Sequence, residues 1–444
     1  MKRGTGQEVL ELATDYHKSG DLDRAESLYN QCLSRSIGNP DITYRLGTLH
    51  MERGNFGLGV LLLKHTLAYM PEFGEAYNNM GICLQRMGEV DLAEEYYMQA
   101  MERIQHADIP SNIAAAYVNE GQPEKVLEWA EKSLEIDPNH SGGRWNKALG
   151  LLEMQRFGEA WPWHESRLNE GSKNAVPRDY SKRLPMWDGS RKRVVIHGEQ
   201  GLGDEIMFAS CLPDAIEAAD HIILECAPRL EKLFQDSFPE VEVVGTHSHE
   251  TDPDAEAWIA LGSLPMLFGR NTPEDFPGTP FLKTEALVSD QTRIGVAWQG
   301  GVLNTRIDLR SVPVEAFSGL FDLPVELVSL QYTPQAGTEV EGTPIKHWPE
   351  YAEAQDMDQV ASLIGSCDLV VTVCQTAVHI AGALGVPCLV LTPEKPSWRY
   401  GVTGDMPWYE SVKLIRGDWE SALLEMEKQV VDFLGLPGTE QAAA

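Results

Sequence analysis

No stretch of the 444 residues approaches the ~18–20 consecutive apolar side chains that a membrane-spanning helix needs, so membrane insertion is not expected. The opening MKRGTGQEVLELA carries two basic residues with no apolar segment behind them, which predicts no secretory signal and a cytoplasmic location. Cysteine is sparse and scattered. The seven residues form no CxxC pair, which argues against a disulfide framework or a zinc ribbon and fits reduced thiols. Basic residues are outnumbered, 36 against 67 acidic ones, for a formal net charge of −31. A field of that sign repels nucleic acid and anionic lipid. An anionic small ligand can be held only where basic groups and helix amino termini are concentrated. The dinucleotide GxGxxG spacing is missing, as is a phosphate loop ending in Gly-Lys-Ser/Thr.

What the chain does have is a period. Gly20, Gly54, Gly88 and Gly121 recur at intervals of 34, 34 and 33 residues, and each is followed five residues later by Ala25, Gly59, Ala93 or Val126. A fifth frame continues to Ala160, with Gln155 where the glycine would stand. Such regularity means one helical hairpin repeated over roughly residues 6–170, about five times. The glycines suit a left-handed backbone between the paired helices. Gly81 and Ala93 would let those helices approach closely, while Pro71 and Pro138 close their repeats. The offsets Tyr77, Met80, Gly81, Leu84, Ala93, Tyr97 and Ala100 resemble the tetratricopeptide repeat. That resemblance implies a solenoid with a concave surface for a protein or peptide. Asn78, Asn79, Asn112 and Asn146 fall early in their hairpins and are candidates to hydrogen-bond an extended acceptor; solvent-facing polar positions are the alternative. Residues 171–192, mixed in polarity and carrying two prolines, read as a linker wrapping against the array.

From residue 193 the pattern changes. RVVIHG, HIILEC, EVEVVG, RIGVAW, VELVSLQ, DLVVTV and PCLVLT are short β-branched runs, each ended by a turn and often followed by a helical stretch. That alternation predicts parallel sheets with helical crossovers. Two Rossmann-like lobes are expected, 193–285 and 292–425, with a helix and tail over 426–444. The chemistry-bearing segments sit at strand ends, where open α/β sheets bind ligands. The first is Gly198-Glu-Gln-Gly-Leu-Gly-Asp204. Its Gly201 and Gly203 allow close approach, and Asp204 is either a helix cap or a carboxylate facing a cleft. The second runs from Gln299 to Ser311; its Arg306 and Arg310 offer two guanidinium forks for phosphate oxygens, or a surface ion pair with Asp308. The third is Thr372 to Pro387, where a strand passes directly into a small-residue helix. The amides of Gln375, Thr376 and Ala377 would form a phosphate-binding helix terminus, with His379 one turn in. Cys374 reads as a small strand-end residue rather than a thiolate. Asp252-Pro-Asp254 lies in an acidic, His-rich loop and reads as solvated rather than metal-binding. Arg399 and Arg416 add positive charge in cleft-side loops, and Trp398 or Tyr400 either stacks on a ligand or packs.

These segments together resemble the GT-B glycosyltransferases of the heptosyltransferase type and, more distantly, tetratricopeptide-linked O-GlcNAc transferases. The resemblance is carried by Gly203-Asp204 and the segment Cys374 to His379. The closest likeness is to bacterial proteins that join such repeats to such a domain; GEQGLGD, QTAVHIAGALG, WRYG and MPWY stand here at Gly198–Asp204, Gln375–Gly385, Trp398–Gly401 and Met406–Tyr409. Cys374 and Gln375 replace the Asp-Ser/Thr pair of heptosyltransferases, but an amide-based phosphate grip needs only the helix start. The resemblance implies a helical solenoid followed by a GT-B fold of two Rossmann-like domains, and an inverting sugar transfer without metal or cofactor. Asp204 would be the base. Gly201, Gly203, Arg306, Arg310, Gln375, Thr376, Ala377, His379 and Arg399 would hold a nucleotide-sugar donor, and the repeats would hold a protein hydroxyl, on flagellar or other surface proteins by analogy. The alternatives are a non-catalytic adaptor with a degenerate GT-B domain, and a transferase acting on lipid carbohydrate, which the lack of a basic amphipathic helix disfavours.

Overall fold

The computed structural model describes residues 6–168, 180, 182–246, 254–301, 307–333 and 335–436. The chain divides into two compact units, Met1–Gly150 and Leu151–Ala444.

The first unit is a run of antiparallel helical hairpins. The pairs are α1 (Gly6–Lys18) with α2 (Leu22–Arg35), α3 (Pro40–Glu52) with α4 (Phe56–Tyr69), α5 (Gly74–Arg86) with α6 (Val90–Met101), and α7 (Asp108–Glu120) with α8 (Pro123–Ile136). A further helix, α9 (Ser141–Glu153), follows. The periodic glycines occupy the expected turn, with φ of +82°, +79°, +86° and +62° at Gly20, Gly54, Gly88 and Gly121. Small residues inside the helices do a different job. A Cβ on Gly81 would stand 2.6 Å from the Tyr97 ring, so α5 and α6 touch at a point where only hydrogen fits. Tyr97, Tyr117, Met80, Ala93 and Ala130 are buried in one continuous core cluster of this unit.

The second unit begins with α10 (Phe157–His164). Trp161 Nε1 donates to the Arg270 carbonyl at 2.6 Å, and Gly158 N to that of Asn271 at 2.9 Å. Phe157 stacks into an aromatic cluster with Trp161, Phe276 and Trp408. These contacts bind the second helix of the fifth hairpin to the α/β unit. Gln155, which stands in place of the turn glycine, keeps the left-handed conformation, φ +56°. Its side chain donates to the Asp405 carbonyl at 3.0 Å, a local bond that offsets the steric cost a Cβ meets there.

Two all-parallel sheets follow. The first contains β1 (Arg193–His197), β2 (His221–Cys226), β3 (Glu242–Gly245) and β4 (Ala257–Ala260) in the order β3-β2-β1-β4. The second contains β5 (Arg293–Ala297), β6 (Glu326–Ser329), β7 (Leu369–Val373), β8 (Cys388–Leu391) and β9 (Val412–Ile415) in the order β6-β5-β7-β8-β9. Strands covered on both faces read as near-continuous apolar runs, and every residue of β5 and β7 is buried. Of the stretch expected to be a linker against the array, the described residues are held by the first sheet. Trp187 N donates to the Trp258 carbonyl at 2.8 Å, and Tyr180 Oη to Glu225 at 2.7 Å. The closing helix spans Trp419–Phe433, starting earlier than expected, with Asp418 accepting from Ser421 N at its start. The described architecture is thus helical repeats followed by two Rossmann-like sheets, an arrangement of the GT-B type.

Candidate functional site

In an open parallel sheet the ligand crevice opens at the carboxyl ends of the strands where chain progression reverses direction. In the first sheet that reversal is at β1, flanked by β2 and β4; in the second it lies between β5 and β7. The three segments follow β1, β5 and β7, so chain topology sets each at a strand's carboxyl end beside its sheet's switch point.

After β1 the backbone turns through Gln200, whose φ is +69°, and enters the short helix α11 (Leu202–Phe208). The cap position is Gly201, so Asp204 is not the helix cap. It lies in the first turn, buried at 9% exposure, and its carboxylate is bound by both Nε and Nη2 of Arg399. Burial pushes the Asp204 carboxyl above its ordinary range, and Arg399 offsets this only in part. Arg399 also reaches Gln200 Oε1 at 3.5 Å.

Gly203 packs against the third segment. A Cβ there would stand 3.0 Å from His379 Cδ2, which sets α11 directly on the helix Thr376–Leu384. His379 is buried, with Nδ1 3.3 Å from Tyr409 Oη. Burial, reinforced by the Arg399 cation, lowers its pKa to about 3, so the imidazole is neutral across the physiological range. Gln375 precedes this helix in extended conformation, and no side chain caps the helix start. Gln375, Thr376 and Ala377 line a cavity of about 120 Å³, with Leu202 and Arg229 from the first lobe and Tyr332 and Met357 from the second. Gln375 Nε2 donates to Thr372 Oγ1 at 3.1 Å, while its buried Oε1 accepts no bond. Cys374 is wholly buried and its thiol is pushed up to about 12, which rules out a resting thiolate.

The second segment is pinned to the third by backbone. Gly300 N donates to the Arg310 carbonyl at 3.1 Å, and Gln299 pairs with Ser311. A Cβ on Gly300 would meet the Cys374 carbonyl oxygen at 2.3 Å. The Arg310 backbone thus stands beside the Cys374 end of β7, near enough for its cation to act on Cys374 and Tyr400. Arg306 lies outside the described residues, as does Asp252. Arg416 serves a structural purpose: its guanidinium donates to the carbonyls of Tyr400, Gly401 and Gly404. Trp398 and Tyr400 are buried at 5% and 2%, so both pack rather than present a ring to a ligand.

Four polar residues that the sequence reading passed over hold this crevice in place. Arg167 is fully buried and forks onto Glu199 with bonds of 2.8 and 2.6 Å, while also donating to Glu165 and Ser263. Burial raises the Glu199 carboxyl, but Arg167 outweighs it and the net shift is downward. Gln331 closes the end of β5: its Oε1 accepts from the Trp298 and Gln299 amides at 3.2 and 3.0 Å. Arg229 joins the lobes by donating to the carbonyls of Gln355 and Ala354 at 2.7 and 3.0 Å. Glu199 lies inside the first glycine-rich segment and Gln331 closes the strand run VELVSLQ; Arg167 and Arg229 lie in neither.

The asparagines of the array form a separate set. Asn112 donates to Asn78 at 3.1 Å across one repeat, and Asn78 to Asn79 at 3.4 Å. Asn79 donates to Thr48 at 3.0 Å, and Asn146 to the Ser111 carbonyl at 2.8 Å. Asn79 and Asn146 are buried, whereas Asn78 and Asn112 are half-buried.

Comparison with known proteins agrees with this division. The tetratricopeptide repeat family matches residues 74–105 and 111–140. The chain is 28% identical to Protein FlbA of Caulobacter vibrioides over 459 residues, covering 93% of this chain and 71% of that protein. It is 24% identical to the BBSome complex member BBS4 of Bos taurus over 34% of this chain and 29% of that one. Among solved structures, a crystal structure of MamA protein shares 21% identity over 37% of this chain and 90% of that chain, with a TM-score of 0.33. The amino-terminal region is therefore a tetratricopeptide array, followed by an α/β region with two parallel sheets.

Proposed function

We propose that the chain is an inverting glycosyltransferase that moves a sugar from a nucleotide-sugar donor to a protein hydroxyl without a metal, the repeats holding the acceptor. The observation that carries this reading is the convergence of Asp204, Arg399, Arg310 and the uncapped start of the His379 helix at the switch points of two parallel sheets. Arg310 and Arg399 set two half-buried guanidinium groups there in an otherwise acidic protein, a local excess of donors that suits an anionic ligand.

In this reading the helix amides at 375–377, with Arg310, take the nucleotide phosphate. As the bond between the anomeric carbon and the phosphate oxygen breaks, these donors stabilise the charge that develops on the leaving group. Asp204 accepts the proton of the acceptor hydroxyl as its oxygen forms the new bond to the anomeric carbon from the opposite face. An elevated carboxyl pKa favours that step. His379, kept neutral, can donate or accept a hydrogen bond but carries no charge. Asn78 and Asn112, each with polar capacity left over, would bind the acceptor backbone. Flagellar or other surface proteins are candidate acceptors by analogy.

A second reading, an adaptor with a degenerate domain, is favoured by Cys374 and Gln375 standing where heptosyltransferases carry their Asp-Ser/Thr pair. Incubation with a panel of nucleotide sugars, read by release of nucleoside phosphate, separates the two. Asp204→Asn should abolish turnover while donor binding persists. Turnover surviving that change would remove Asp204 as the base, and the absence of binding to every donor would favour the adaptor.

A further inference from the structure

One contact in the crevice is not needed for transfer and in fact opposes it: one oxygen of the base is tied up by a cation. Nε and Nη2 of Arg399 both lie on Asp204 Oδ1, and Asp204 does not line the cavity formed by Gln375, Thr376 and Ala377. While the guanidinium holds it, that oxygen is engaged by two donors and its lone pairs are not offered to a hydroxyl. The backbone on either side of Arg399 is anchored. Trp398 is buried among Phe208 and Trp408, and Arg416 ties down the Tyr400 and Gly401 carbonyls. The Arg399 side chain itself keeps 23% of its surface open, stacked 5.0 Å from the Trp398 ring centroid. Its cation also reaches the other side of the crevice, acting on His379 and Tyr400.

We propose that Arg399 is a latch that a nucleotide phosphate opens. A guanidinium fork fits a carboxylate and a phosphate with the same planar geometry. A phosphate held by the helix start and Arg310 therefore competes with Asp204 for the same donors. When Arg399 moves from carboxylate to phosphate, Asp204 Oδ1 is freed for the acceptor hydroxyl and the phosphate gains a further cation. Proton transfer is thereby tied to donor occupancy, and the acceptor finds a competent base only after the donor has bound. This inference rests on the transfer reading above.

Binding alone tests it. Calorimetric titration of the full chain with the mono- and diphosphates of cytidine, uridine, adenosine and guanosine identifies the nucleotide bound best. Asp204→Asn removes the competing carboxylate and should tighten that nucleotide about 2–5-fold, the size of one partly exposed ion pair. Arg399→Gln should weaken it at least about tenfold. In the Arg399→Gln background, Asp204→Asn should change nothing. Equal tightening in both backgrounds would mean a general field effect and would overturn the latch. So would an unchanged affinity in Asp204→Asn. Should that variant fail a thermal-unfolding check, Asp204→Ser replaces it with the same expectations. A wild-type chain that binds none of the nucleotides would remove the transfer reading itself, and the latch with it.

Discussion

Replacing Glu199 by alanine should unfold the second unit far more easily while leaving the repeat array untouched. The Arg167 and Glu199 side chains are exposed to 0% and 1%. Taking away the carboxylate leaves a buried guanidinium with Glu165 at 2.7 Å and Ser263 at 2.8 Å as its remaining side-chain partners. Breaking a buried pair by deleting one member costs about 3–5 kcal/mol. The Gly262 amide, which donates to Glu199 at 3.0 Å, also loses its acceptor, at about 1 kcal/mol. Glu165 makes up part of the charge deficit, so the expected net loss is about 3–4 kcal/mol. The double change Arg167→Met with Glu199→Met, which removes both charges and keeps volume, should recover to within about 1–2 kcal/mol of wild type. Urea unfolding followed by tryptophan fluorescence reads this well. Of the eleven tryptophans, only Trp129 and Trp145 belong to the first unit, and the two units call for separate transitions in the fit. The folded carboxyl titrates below its unfolded value, so its contribution is present above about pH 4.5 and fades as pH falls. A Glu199→Ala loss below about 1 kcal/mol would refute the claim that this pair holds the first glycine-rich segment.

Three further outcomes are expected. Gly81→Ala should destabilise the array by about 1–3 kcal/mol through collision with Tyr97, whereas Gly88→Ala, with open space around it, should cost only about 1 kcal/mol from its left-handed backbone; thermal melts of the two variants separate the causes. His379 stays neutral in the folded chain down to about pH 3 but protonates near 6.5 when unfolded. The unfolded state therefore binds the extra proton between those values, and stability should fall by about 1.4 kcal/mol per pH unit as pH drops through that window. His379→Asn should flatten that slope by one proton in pH-dependent denaturant titrations. Gly382→Ala should cost about 2 kcal/mol or more by overpacking, because its Cβ would stand 2.3 Å from Tyr409 Cγ. The same change should lower donor affinity if the His379 helix start is the phosphate site, which titration of the variant measures.

The repeats were legible because a 34-residue spacing of glycines has one cheap structural cause. Even Gln155, which breaks the spelling, keeps the conformation. The strands from Arg193, Arg293 and Leu369 were legible because full burial on both faces leaves unbroken apolar runs. β4 was hidden: Ala257–Ala260 is four residues long and follows a run of acidic positions. The partners of the site were not legible at all. Asp204 meets Arg399 across 195 positions, and Arg229 meets the Ala354 carbonyl across 125. Long-range polar contacts of that kind leave no periodic trace, so the sequence marks both Asp204 and Arg399 without revealing that they touch. Glu199 was quoted within its motif but given no task, since its partner Arg167 lies in what reads as the last helical repeat.

The most direct test is titration of the wild-type chain with a panel of nucleotide sugars, compared with Arg310→Ala. The account predicts saturable one-to-one binding of at least one donor, weakened about tenfold or more when the Arg310 guanidinium is removed. Failure of every donor to bind, or full affinity in Arg310→Ala, would contradict an anion site between the two parallel sheets.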